Sequence, residues 1–230
     1  MLLQLQQHIN NKFPFLKDAK LLVAVSGGVD SMVLTQLLSI LKFNISLAHC
    51  NFKLRGVESD LDATFVNEFA KKHPINCFIK SFDTKKIAAK NKQSTQIAAR
   101  NLRYQWFQEM ASKHGFDYIL TAHHADDNLE TFLINLTRGS GLDGFTGIPA
   151  IQKNIVRPLL IFSRAEIVKY ATENTISWRE DESNSTTKYL RNKIRHQVVP
   201  VLKEINPSLL NSFSKTIENL QESRQLVADR

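Results

Sequence analysis

The sequence predicts an α/β protein, a doubly wound and mostly parallel sheet of about five strands with a C-terminal helical extension. Two patterns carry that expectation. Short apolar runs at LLVAV (21–25), ISLAHC (45–50), INCFIKSF (75–82) and DYILTAH (117–123) alternate with helix-period stretches around 59–72, 94–113 and 126–137. Strands interleaved with helices in this way form a parallel sheet covered on both faces. Beyond residue 139 the strand signal stops, and helical spacing returns over 190–200 and 207–230.

Element by element, LLVAV is bounded by Lys20 and Ser26 and runs into SMVLTQLLSILK, whose apolar residues recur at helical spacing, so a buried strand feeds a helix. In such sheets ligands gather at the carboxyl ends of strands where the strand order reverses. The residues just after 25, 48 and 121 are therefore where chemistry is expected. SGLDGFTGIP (140–149) has the glycine and proline density of a flexible loop. Ser163 followed by Glu166 reads as a capping box opening a helix. The reading divides the chain into a catalytic domain over 1–200 and a helical extension over 201–230. Because the chain stops inside a helical pattern, further C-terminal domains are expected beyond it.

With 43% hydrophobic and 23% charged residues over 230 positions, the composition excludes disorder throughout. The first residues, MLLQLQQHINNKF, interrupt their leucines with glutamines and lack a signal-peptide core, and no run approaches a membrane span, so a cytoplasmic protein is expected. Cys50 and Cys77, the two cysteines, lie 27 positions apart without a CxxC pair and read as interior thiols. Thirty Lys and Arg against 22 Asp and Glu give a formal charge of +8, which favours a polyanionic partner. Lys188, Arg191, Lys193 and Arg195 form a local acid-free run.

Three segments carry chemistry. SGGVDS (26–31) lies between the first strand and its helix, where backbone N–H groups and the helix dipole favour an anion. Gly27 and Gly28 let the backbone approach phosphate oxygens, Val29 and its neighbours supply amides, and Ser26 and Ser31 supply hydroxyls. Asp30 beside a polyphosphate makes sense if Mg²⁺ bridges the two. The loop is neither a Walker A motif nor a GxGxxG fingerprint. AARNLRYQWF (98–107) puts Arg103 and Tyr104 on a helix with Arg100 almost one turn earlier, and an arginine suits charge developing on a transferred phosphate. HHADDNLET (123–131) follows the fourth strand. A helix beginning near Asp126 sets Asp127 and Glu130 on one face, where paired carboxylates can hold an ammonium, coordinate Mg²⁺ or accept a proton. His123, His124 and Asp126 lack a further ligand at zinc-like spacing.

SGGVDS after a buried first strand resembles the PP-loop of the N-type ATP pyrophosphatases, whose fold is that of the adenine nucleotide alpha hydrolases. The resemblance implies cleavage of ATP between the α and β phosphates. Further segments are similar to those of the tRNA(Ile)-lysidine synthetases. AHCNFKLRG (48–56) resembles their AHxNHxLRG, with Phe52 standing where a second histidine is usual; AARNLRY resembles AARxxRY and HHADDNLET resembles HHxxDDxxET. RGSGLDG (138–144), RPLL (157–160), Arg164, DESN (181–184) and RNKIR (191–195) follow in the family's order.

The resemblance implies a two-step reaction. ATP adenylates the C2 oxygen of the wobble cytidine in the CAU anticodon of tRNA(Ile), and the ε-amine of free L-lysine then displaces AMP. It implies that Ser26, Gly27, Gly28, Val29, Asp30 and Ser31 hold the pyrophosphate, with His49 near the adenosine. It implies that Asp30 and Asp127 hold Mg²⁺, that Arg103 and Arg195 stabilise charge, and that Asp127 and Glu130 orient lysine. Relatives of this kind are often homodimers. Two other readings stay open, a tRNA-thiolating enzyme with the same loop and a nucleotide sensor without catalysis.

Overall fold

A computed structural model describes residues 1–180 and 190–228. The expected DESN segment and Lys188 lie outside them. The chain runs α1 (Leu2–Lys12), β1 (Leu21–Ala24), α2 (Val29–Ile40), β2 (Ile45–Asn51), α3 (Val57–Lys72), β3 (Cys77–Ser81), α4 (Thr84–Lys90), α5 (Thr95–His114), β4 (Tyr118–Leu120), α6 (Ala125–Thr137), α7 (Leu142–Phe145), β5 (Ile151–Gln152), β6 (Ile155–Val156) and α8 (Arg164–Glu173). After the undescribed residues come α9 (Leu190–Lys193), a π-helical turn at Ile194–Val198, α10 (Val199–Ile205) and α11 (Leu209–Ala228).

The sheet has six strands in the order β3-β2-β1-β4-β6-β5, all neighbours parallel except the β5/β6 hairpin. That is one more than expected, since strands of two residues, turned at Lys153 with φ 55, are too short to leave a hydrophobic period.

Why β1 reads as an unbroken apolar run is visible in its packing. Leu21, Val23 and Val25 face one core with α1, α2 and α8, while Leu22 and Ala24 face a second core built on Trp106, Phe107 and Met110 of α5. Strand side chains alternate, so a strand covered on both faces must be apolar throughout. Each fully buried Leu or Val contributes roughly 1.5–3 kcal/mol relative to exposure. A third core, including Leu129, Ile134, Ile194, Val199, Phe213 and Ile217, fastens the C-terminal helices to α6. The strand order reverses at β1, whose neighbours are β2 and β4, so the loops after β1 and β4 meet at one end of the sheet.

Residues 140–149, expected to be a flexible loop, contain α7 and are tied to α6. Asn135 Nδ2 donates to the Gly144 carbonyl (2.8 Å), and Asn128 Oδ1 accepts from Ile148 N (2.6 Å). Glycine serves close approach here, because a Cβ at Gly147 would sit 2.3 Å from Asn128 Oδ1. Cys50 and Cys77 are half-buried rather than interior, on adjacent strands but out of register, with Cys50 opposite Lys80 and Cys77 opposite Leu47. Burial pushes their thiols up to about 12 and about 11, so neither is a ready thiolate. Among the described residues no helix is long and apolar enough to cross a membrane.

Candidate active site

The loop after β1 closes on itself. Ser31 Oγ donates to the Gly28 carbonyl (2.9 Å) and accepts from Ser26 N (3.2 Å), while Ser26 Oγ accepts from Gly28 N (3.2 Å). The two hydroxyls are 3.3 Å apart. Both serines therefore shape the cradle, and Ser31 is buried in doing so. Gly27 takes φ +93, and its carbonyl accepts from Arg179 N (3.0 Å). Gly28 is the extended N-cap of α2. No side chain caps that helix, so its first N–H groups remain for an external acceptor. The Val29 side chain is buried in the first core, which leaves its backbone amide for that duty.

Asp30 projects from the first turn of α2 toward the loop after β4. Its Oδ2 accepts from Arg164 (3.4 Å), and its Oδ1 is buried without a hydrogen-bond partner, 3.9 Å from His124 Nε2. Burial pushes the Asp30 carboxyl up, and His124 and Arg164 oppose that only in part.

The second half of the site is the start of α6. His124 is its N-cap in a reciprocal capping box: His124 Nδ1 accepts from Asp127 N (3.4 Å) and Asp127 Oδ2 accepts from His124 N (3.2 Å). Nδ1 as acceptor assigns the ring proton to Nε2, which lies 3.4 Å from Asp127 Oδ2. Asp30 and Asp127 thus flank one imidazole. His123 accepts or donates at Thr121 Oγ1 (2.9 Å), and burial pushes its ring down to about 4, so it is neutral at pH 7.

Asp127 and Glu130 share a face as their spacing predicts, and Arg195 from the π-helical turn bridges them. Its Nε donates to Glu130 Oε1 (2.6 Å) and its terminal nitrogen to Glu130 Oε2 (2.9 Å) and Asp127 Oδ1 (3.2 Å). Burial pushes Glu130 up despite Arg195. Burial also favours the neutral form of Asp127, but His124, His123 and Arg195 outweigh it and hold that carboxyl low. Arg191 donates to Thr131 Oγ1 (2.7 Å) and sits 3.8 Å from Glu130. Asp126 bonds to Lys203 Nζ (2.5 Å) and Arg164 N (2.8 Å), with its Oδ2 3.7 Å from His124 Nδ1.

Other expected residues lie elsewhere. His49 is buried behind the loop, its Nδ1 donating to the Val25 carbonyl (2.9 Å) while its buried Nε2 has no partner. Burial pushes the ring down, so it acts as a neutral prop beneath the loop. Arg103 makes no ion pair with the carboxylates among the described residues. Its guanidinium lies over Phe52 (5.2 Å), which stacks on Phe82 (5.7 Å). Arg100 lies over Tyr104 (4.9 Å). Arg157 of the RPLL segment is buried and clamps the β5/β6 hairpin through the Pro149 carbonyl (2.6 Å).

Sequence reasoning missed Lys203, the partner of Asp126, and a group beside the loop in which buried Asp62 pairs with both Arg55 and Arg179 (2.7 Å to the latter). Partners 117 positions apart leave no local signal.

The PP-loop domain family matches residues 1–202. A tRNA(Ile)-lysidine synthase of Porphyromonas gingivalis is 44% identical over 205 residues, 89% of this chain and 45% of that protein. One of Bacillus subtilis is 38% identical over 92% of this chain and 46% of its own length, and one of Petrotoga mobilis is 38% identical over 93% and 70%. The chain spans about half the length of the first curated relatives it matches. In fold it resembles the U34-tRNA thiolase NcsA from Methanococcus maripaludis, with TM-score 0.76 at 18% identity, covering 96% of this chain and 80% of that one. A strand-to-helix cradle at the switch point, a carboxylate pair at the next strand and this similarity along nine-tenths of its length place the chain in the tRNA(Ile)-lysidine synthase family of PP-loop proteins.

Proposed function

We propose that residues 1–200 are the ATP-consuming catalytic unit of a tRNA(Ile)-lysidine synthase acting in the cytoplasm on the CAU-anticodon tRNA(Ile), with free L-lysine as the second substrate. The observation that carries the proposal is the meeting of Asp30 and Asp127 on either side of His124 Nε2, at 3.9 and 3.4 Å, with the Arg195–Glu130 pair beside them. It joins a phosphate cradle to a carboxylate pair that already holds a cation.

In the first step the C2 oxygen of cytidine attacks the α-phosphorus of ATP, the bond to the β-phosphate oxygen breaks, and pyrophosphate leaves on the amides at the start of α2. The cradle's hydroxyls keep those amides pointed outward. Asp30, through its orphaned Oδ1, and Asp127 would hold Mg²⁺, which would neutralise phosphate charge. Arg195 is close enough for Asp30 to favour its charged form, so the guanidinium also adds positive potential at the transfer site. In the second step the lysine ε-amine attacks C2 and expels AMP, releasing a proton. Asp127 and Glu130 would hold a lysine ammonium as they hold Arg195. Glu130, pushed up by burial, is the better proton acceptor of the two. Arg103, held over Phe52, is assigned to stabilising charge on the departing phosphate, and pairing of two copies is part of the same proposal.

A thiolation reading is not favoured, because the two cysteines of this chain are out of register and far from thiolate at neutral pH. The test is transfer of radiolabelled lysine to an unmodified CAU-anticodon tRNA by the intact, full-length protein with ATP. Label in the wobble nucleotide with stoichiometric AMP is the expected result, and absence of label overturns the assignment. A sensor would bind ATP without releasing pyrophosphate.

A further inference from the structure

The positive surplus of this chain is concentrated. Between residues 85 and 103 there are six cations, Lys85, Lys86, Lys90, Lys92, Arg100 and Arg103, and no acid, in a protein whose whole net charge is +8. The fold places them on two helices that pack together and on the turn between them. α4 begins three residues after β3 ends, and Phe82 N bonds to the Asn51 carbonyl at the end of β2 (2.8 Å), so α4 starts at the carboxyl edge of the sheet. α5 packs on α4 and runs from that edge to the opposite one, ending where Asp117 N meets the Lys20 carbonyl.

The four lysines and Arg100 are exposed. Arg103 completes the row at the edge itself, over Phe52, the residue that follows β2. The row therefore leads from open surface to the carboxyl edge of the sheet, the edge on which the candidate active site lies. The nearest acid before it, Asp83, caps α4 by accepting from Lys86 N (3.3 Å).

We propose that α4 and the first half of α5 form the surface that binds the sugar-phosphate backbone of the RNA substrate, aligning it so that a base reaches the carboxyl edge. The assignment of RNA rests on the proposed function. A row of cations fits a polymer with a charge at every residue, and its phosphates release counterions when cations neutralise them. A lipid surface is disfavoured because Ile97 is the one large apolar side chain exposed along 85–103.

The test uses the intact, full-length protein and a CAU-anticodon tRNA transcript, with binding followed by fluorescence anisotropy across a potassium chloride series. The variants are K85Q/K86Q, K90Q/K92Q and the fourfold combination. Gln retains helix propensity on an exposed face, and the double variants keep the question open to refutation if the fourfold one fails to fold.

Affinity of the fourfold variant should fall roughly tenfold at 0.1 M salt, and the slope of log K against log salt should become shallower by about one for each phosphate no longer neutralised. ATP binding by calorimetry should be unchanged. Wild-type affinity and slope in the variants would overturn the proposal. So would polyglutamate or anionic vesicles competing as well as tRNA at equal charge, since either reassigns the surface. Lysidine formation with an unaltered KM for tRNA in the variants rejects this surface alone. Tight, patch-dependent tRNA binding without lysine transfer rejects the activity and leaves the surface standing.

Discussion

The two halves of the candidate site are built in opposite ways. The side-chain hydrogen bonds that shape the cradle, among Ser26, Gly28 and Ser31, join residues two to five positions apart, and one backbone bond, from Arg179 N to the Gly27 carbonyl, comes from outside the turn. The carboxylate half is balanced from a distance, with Arg195 lying 65 positions from Glu130 and Lys203 lying 77 from Asp126. The side-chain bonding of the cradle is thus a local property of the strand-to-helix turn. The carboxylates depend on the third core holding the C-terminal helices against α6. It follows that changes in the cradle should alter chemistry at little cost in stability, whereas changes in the carboxylate half should alter both.

Asp30→Ala gives the largest expected effect on activity and sharpens the contrast most. Pyrophosphate release should fall on the order of 10²–10³-fold, the scale of losing one preorganised electrostatic group. Stability at pH 7 should stay level or rise slightly, because burial already disfavours the Asp30 carboxylate in the folded state. A fall of several degrees in Tm would show that Asp30 is a structural member of the cluster and would erase the distinction between the halves.

Arg195→Ala should break the other half. It leaves Glu130, 2% exposed at its side chain, facing Asp127 with Arg191 at 3.8 Å as the one remaining cation among the described residues, and removing one partner of a buried pair costs about 3–5 kcal/mol. The loss should depend on pH in a stated sense. The Glu130 carboxyl is already raised in the folded protein, so its proton favours folding below the ordinary carboxylate range, and that contribution is lost as pH rises. Without Arg195 the carboxyl moves higher still. The stability deficit measured by urea unfolding should therefore be greatest at pH 7 and shrink toward pH 5. A deficit independent of pH would mean that lost packing of the arginine stem, rather than an unpaired carboxylate, is responsible.

How much of this was legible follows the same division. The strand-to-helix turn at SGGVDS, the pairing of Asp127 with Glu130 on one helix face and the Ser163–Glu166 capping box are all local, and the sequence carries them. The β5/β6 hairpin escaped because two-residue strands have no period. Lys203, Asp62 and Arg179 escaped because their partners are set by tertiary packing. The resemblance implies that His49 lies near the adenosine, and the structure shows its ring buried under the loop and bonded to the Val25 carbonyl. A histidine at the end of a covered strand reads the same whether it faces a ligand or a backbone carbonyl.

The smallest expected effect separates two adjacent glycines and tests whether the cradle is local in the sense described. Gly27 has φ +93, and a Cβ there would meet Phe65 and Val66 at an ordinary 3.6 Å, so backbone strain and not space is the obstacle to Gly27→Ala. That strain costs about 1–2 kcal/mol. Gly28 has φ −76 and ψ 162, open to any residue, and its Cβ would lie 3.4 Å from Ser26 Oγ. Gly28→Ala should therefore change stability by only a few tenths of a kcal/mol. If phosphate oxygens approach the backbone at this point, the same methyl group should still raise the KM for ATP several-fold, since it stands at the N-cap where the anion would lie. A Gly28→Ala protein with unaltered stability and unaltered KM would show that the polyphosphate does not rest on this turn, however well the turn is made.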